Sequence, residues 1–109
     1  MEKYTKTYLT SFGYSLTDNN QFVNCECCDG RASEIHHILN KNRLIQHGLL
    51  KVKDDIFNIM AICRRCHDSY GEDNVFIPLL FKIHIKRING ICYDKSLVNK
   101  LIKYYEDII

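Results

Sequence analysis

Two Cys-x-x-Cys pairs, Cys25-Glu-Cys-Cys28 and Cys63-Arg-Arg-Cys66, restrict what this chain can become more than any other feature. Four thiolates from two such pairs supply the tetrahedral donor set that a structural zinc ion prefers, with little strain in either pair. Cys27 adjoins a ligand and cannot point the same way, so Cys28 is the partner of Cys25, and Cys27 and Cys92 are expected to be spare, buried thiols. The 34 residues between the pairs exceed the usual ribbon spacing, which suggests that the insert carries function.

A clamp of this kind matters in a chain of 109 residues, because small domains bury a smaller share of their surface. That length fits one domain, residues 1–109. With 46% hydrophobic and 26% charged residues the composition is that of a folded protein, which excludes a disordered chain. No run approaches the roughly 20 apolar residues of a membrane span. Glu2, Lys3 and Lys6 interrupt the start, so no secretory leader is expected, and CxxC spacing in a cytosolic setting favours metal over disulfides.

The formal charge of +2 is mild for a nucleic-acid binder, so any basic surface must be local. Lys41, Arg43, Lys51 and Lys53 lie in the insert, and Arg64 and Arg65 sit inside the second pair. Arg43, Arg64 and Arg65 are the candidate phosphate contacts, because a guanidinium group can bind phosphate oxygens bidentately.

Local patterning places the elements. Tyr4, Tyr8 and Phe12 recur every four residues, the stripe of a short helix that Gly13 would end. Asp29-Gly30 reads as the tight turn of the first knuckle, and residues 32–38 as a strand. Residues 40–55 form a polar, basic connection with one helical turn at Leu44 to His47. Asp54 or Asp55 would cap a turn before Asn58, and Ile59 to Ile62 would be a second, buried strand. A helix is expected from about Cys63 to Gly71, with Gly71 as a left-handed stop. Two further helices occupy 73–109, the last starting near Lys95 behind Asp94 and carrying Leu97, Val98, Leu101, Ile102 and Tyr105. That stripe would serve as core or as the face of a homodimer.

The insert and its borders hold the chemistry: Glu34-Ile-His36-His37-Ile, then Asn58-Ile-Met-Ala-Ile-Cys63, then His67 directly after Cys66. Once the four cysteines are clamped together, His67 is carried toward His36 and His37. These residues resemble the HNH endonuclease family, over roughly residues 25 to 71 and in the family's order. The Phe12-Gly13-Tyr14 lead-in and the Tyr70-Gly71 ending resemble small phage and bacterial members.

The resemblance implies an α+β fold, a small ββα-metal core on the four-cysteine zinc site, flanked by an N-terminal helix and two C-terminal helices. It implies a metal-dependent nuclease that hydrolyses DNA and leaves a 5′-phosphate and a 3′-hydroxyl, in the cytoplasm of a bacterial or phage-infected cell. His37 would be the general base, as a neutral imidazole with a pKa near about 6.5 can be. Asn58 would bond backbone across the hairpin loop and aim His37, while His36 and His67 would hold a catalytic divalent cation: magnesium, manganese or nickel. Many members carry Asp where this chain has His36, and some carry a further ligand where it has Gly71. Adjacent residues on a regular strand point to opposite faces, so His36 and His37 would serve one phosphate only if the strand ends or distorts there. A non-catalytic zinc-stabilised DNA-binding module and a zinc-scaffolded protein-interaction domain are the competing readings. Both leave the histidines without a role.

Overall fold

Ile59-Met-Ala-Ile62 is apolar at every position, and a strand of that composition must be covered on both faces. It forms β2 (Ile59–Ile62), buried throughout and antiparallel to β1 (Glu34–His37), in a two-stranded sheet. The structure is a computed structural model that describes residues 1–91 and 93–108. Cys92, expected to be a spare thiol, lies outside the described residues.

The register sets Glu34 opposite Ile62, Ile35 opposite Ala61, His36 opposite Met60 and His37 opposite Ile59. Alternation therefore sorts the strands into two faces. Ile35, His37, Ile59 and Ala61 belong to the face packed by α1 (Lys3–Ser11), whose Tyr8 and Phe12 rings lie 4.6 Å apart. The aromatic stripe of α1 is core.

The other face carries Glu34, His36, Met60 and Ile62. Met60 joins the main core with Leu39, Leu44, Phe57 and two helices, α4 (Ile77–Ile88) and α5 (Lys95–Ile108), while Ile62 packs with Cys25 and Cys66. Asp94 accepts from the Leu97 N–H at 3.0 Å at the start of α5. Val98, Leu101 and Tyr105 of that helix are buried against Ile77, Leu80 and Phe81 of α4, so much of its apolar stripe is used within the chain. The result is a small α+β domain.

Two local expectations need correction. In the connection, α2 (Lys41–Gln46) begins before the single turn expected at Leu44, because Asn40 caps it by accepting from the Arg43 N–H at 2.9 Å. After the second cysteine pair, α3 (Arg64–Cys66) widens into a π-turn, His67–Gly71. Gly71 is not a left-handed stop: the positive φ angles among the described residues fall at Asp29, Gly13, Gly48 and Gly90. Steric room is the reason for a glycine there. A Cβ at position 71 would stand 2.9 Å from His67 Cδ2 and 3.3 Å from His36 Cε1.

A buried polar cluster joins the first knuckle to the rest. Glu26, between two cysteines, is 4% exposed and accepts from Tyr8 Oη at 2.6 Å and from the Ala61 N–H at 3.3 Å. His84 of α4, fully buried, meets Glu26 Oε1 with Nδ1 at 2.7 Å and the Ile56 carbonyl with Nε2 at 2.5 Å. Arg87, one turn further along α4, donates to the Glu26 carbonyl at 3.1 Å and to Asp29 Oδ1 at 2.5 Å. Helix α1, the knuckle, β2 and α4 thus meet around one carboxylate.

Candidate functional site

The sulfur atoms of Cys25, Cys28, Cys63 and Cys66 lie within 4.8 Å of one another. A tetrahedron with Zn–S bonds of about 2.3 Å has edges of about 3.8 Å, and the Cys28 to Cys63 separation is 3.7 Å. Donor chemistry and spacing thus fit a structural zinc ion. Each knuckle also aims a backbone N–H at a sulfur: Gly30 at Cys28 and Cys66 at Cys63, both at 3.4 Å. The second of these bonds caps α3 as well, and it is the leading cause that draws the Cys63 thiol down to about 7. Burial pushes the Cys27 thiol up to about 12, with the neighbouring Cys25 charge adding to it, so Cys27 stays protonated outside the cluster. In the first knuckle the left-handed residue is Asp29, at φ 62°, rather than Gly30. The Arg87 ion pair holds it there.

His67 follows the last cysteine directly and enters the π-turn, so the clamp and the turn together fix its imidazole. His36 comes from the second face of β1, and the two rings meet edge to face with centroids 5.1 Å apart. His36 Nε2 and His67 Nδ1 are buried and have no hydrogen-bond partner. Buried polar atoms are nearly always satisfied, so these two nitrogens, the second of them 3.7 Å from Asp68 Oδ1, are candidate ligand atoms. Burial, followed by the charges of His67 and His37, draws the His36 pKa down to about 4. His36 is thereby a neutral imidazole at physiological pH, the form that binds a metal ion. Glu34 Oε1, two residues before His36 and on its face, is a third buried atom without a hydrogen bond, with Arg64 Nη2 3.7 Å away.

His37 lies on the other face. Its ring packs edge to face on Tyr4 at 4.6 Å, and Nε2 lies 2.8 Å from Asp54 Oδ1. A carboxylate only accepts, so in the neutral ring Nε2 carries the proton and Nδ1 keeps its lone pair. The strand is regular through both histidines, without the distortion that would turn them to one side. Asn58, fully buried, ties the loop that follows. Its Oδ1 accepts from the Leu39 N–H at 2.8 Å, and its Nδ2 donates to the carbonyls of Leu39 at 3.1 Å and Lys53 at 2.8 Å. Residues two beyond His37 and one before Asp54 are thus pinned by one side chain.

The three arginines chosen as phosphate contacts have partners of their own. Arg64, 70% exposed, stands 3.7 Å from Glu34 and 4.0 Å from Asp68, too far for hydrogen bonds. Arg65 lies against the Cys28 thiol, whose hydrogen bond and charge raise its pKa further. Arg43 sits over the Tyr105 ring at 5.5 Å. His47 packs on the rings of Tyr104 and Tyr105 and makes no part of this site.

Two features escaped the sequence pattern. Asp54 was expected to compete with Asp55 for a turn cap, but Asp55 precedes the 3-10 turn and Asp54 bonds His37. Nothing in their order distinguishes them. Glu26 carries no signal in the sequence beyond its place between cysteines, and only the fold reveals that it is buried. No protein-family model, curated protein or solved structure matches the chain.

Proposed function

We propose that this protein is a metal-dependent phosphodiester hydrolase. More particularly, we read it as an HNH-type endonuclease acting on DNA, with β1, β2 and the helix that carries His67 as its ββα-metal core. The observation that carries this reading is the pair of touching imidazoles, His36 and His67, each with a buried nitrogen lacking a partner.

Two protein donors leave most coordination positions to water and substrate, the arrangement of a catalytic rather than a structural site. A divalent cation held there would neutralise charge on the phosphate and on the departing oxygen. Two imidazoles suit manganese or nickel better than magnesium. His37 acts as general base: Nδ1 takes a proton from the attacking water, while Asp54 holds Nε2–H and stabilises the imidazolium that forms. Asn58 keeps the loop behind His37 closed, and so keeps Asp54 in reach. Water adds to phosphorus, the bond to the 3′-oxygen breaks, that oxygen takes a proton from solvent water, and a 5′-phosphate and a 3′-hydroxyl remain.

The regular strand does not meet the condition expected from the sequence, so the scheme requires the phosphate to lie along the strand's edge. The sheet has two strands, so the edge of β1 away from β2 has no strand partner among the described residues. A phosphate along that edge would be reached from one face by His36 and from the other by His37.

Plasmid nicking by wild type and His37→Ala, with manganese, magnesium or chelator, tests the reading. Wild type should nick only with a metal ion, and the variant should be slower by about 100- to 10,000-fold with its zinc content unchanged. Equal cutting by both proteins, or no metal-dependent cutting by wild type, would overturn it. The second outcome would leave a zinc-stabilised DNA-binding module.

A further inference from the structure

On the His37 side of the sheet, the start of α1 and the loop before Asn58 enclose an open groove of about 440 Å³. Its walls carry Lys3, Lys41, Lys51 and Lys53 against Asp54 and Asp55. The sequence scatters these lysines over some fifty positions, and the fold gathers them. Four cations elsewhere in the chain are engaged by other groups, and lysines such as Lys86, Lys95 and Lys100, unpaired among the described residues, line none of this groove. Arg87 is bonded to Asp29, Lys82 to Glu106, Arg65 lies on Cys28, and Arg64 stands between two carboxylates. Lys3, Lys41 and Lys51 are exposed and form no ion pair among the described residues. Lys53 approaches Asp54 at 3.8 Å, and that carboxylate already accepts from His37. Asp55 is the second carboxylate of the walls, and the four lysines outnumber the two carboxylates.

A groove with surplus, unpaired ammonium groups selects a polyanion by charge. Lysine binds phosphate as a point charge and reads no base. The groove borders Asp54, and Lys3 precedes the Tyr4 that packs on His37. We infer that this lysine groove, rather than the arginines beside the cysteines, is the seat of the DNA phosphodiester backbone, which runs through it past His37. The direction past His37 rests on that residue's proposed role as base; the groove's affinity for backbone does not.

The test is binding of a fluorescent DNA duplex by anisotropy to zinc-loaded protein with no other divalent cation added, over a range of salt concentrations. Lys3→Gln/Lys41→Gln/Lys51→Gln is compared with Lys86→Gln/Lys95→Gln/Lys100→Gln, which removes the same charge from the C-terminal helices. Each lost phosphate contact should reduce the slope of log affinity against log salt by about 0.9. The groove variant should therefore bind more weakly with a flatter slope, and the helix variant should keep the wild-type slope. Zinc content and circular dichroism establish that both are folded. Equal weakening in the two variants would mean that only net charge matters, and the inference fails. It fails too if the groove variant binds like wild type, or if wild type does not bind duplex at all. Loss of the nuclease reading alone would show as absent nicking with the slope difference intact.

Discussion

The four cysteines and the histidine pair are both clusters of side chains of metal-ligating type, and they differ in how completely the protein closes them. Cys25, Cys28, Cys63 and Cys66 supply a full tetrahedral set, with backbone N–H groups already aimed at two of the sulfurs. His36 and His67 supply two donors and leave their free nitrogens without partners. A closed set stabilises, whereas an open one keeps positions for other ligands. The two are adjacent in the chain, since Cys66 and His67 are consecutive, so the closed site holds the open one in place. Much of the precision of the histidine pair is therefore borrowed from the clamp.

If so, damage to the clamp should abolish both sites. Binding of a structural zinc ion contributes on the order of 10 kcal/mol to folding in small zinc domains, comparable to the whole stability of a chain this size. Cys63→Ser should therefore leave the chain unfolded, as circular dichroism and zinc analysis would show. A folded, zinc-free Cys63→Ser protein would break the comparison, because the histidines would then be held by the packed core alone.

The clamp was legible in the sequence because its geometry is local: a Cys-x-x-Cys pair brings its own two sulfurs together, and only the joining of two pairs requires the fold. Both strands were legible too, β2 because four consecutive apolar residues need cover on both sides. The meeting of His36 with His67 followed from chain continuity through Cys66. What stayed hidden depends on distant packing. The Asp54 bond to His37 requires the loop that Asn58 closes, and the burial of Glu26 requires α1 and α4 to meet above the knuckle. The role of Gly71 was misread because a glycine at a helix end suggests a left-handed turn, while here two imidazoles occupy the space of its side chain.

The Glu26 cluster offers a smaller blow that should reach both sites. Glu26 accepts from His84 at one oxygen and from Tyr8 and the Ala61 N–H at the other. An amide keeps only one acceptor oxygen, so donors at the other position are left buried without a partner, at roughly 1–3 kcal/mol each. Glu26→Gln should accordingly lower the chemical-denaturation midpoint while the folded fraction still binds one equivalent of zinc. An unchanged midpoint would show that the cysteine clamp anchors the knuckle without help from α4.

The smallest expected change in stability separates the two clusters most sharply. In Gly71→Ala the new methyl would meet the His67 ring at 2.9 Å and the His36 ring at 3.3 Å, so one or both rings must shift and their mutual contact must change. Overpacking of this kind costs about 1–3 kcal/mol when spread over a core. Here it falls on the two rings and spares the sulfurs, none of which is among the atoms the methyl would meet. The variant should remain folded, bind zinc as wild type does, and lose affinity for manganese at the histidine pair, read by titration of the zinc-loaded protein. Unaltered manganese affinity would mean that the rings move apart freely, and that their contact in the folded chain is ordinary packing. Equal loss of zinc and manganese would mean instead that the clamp and the histidine pair are one cooperative unit, in which case the division between a holding site and a working site does not stand.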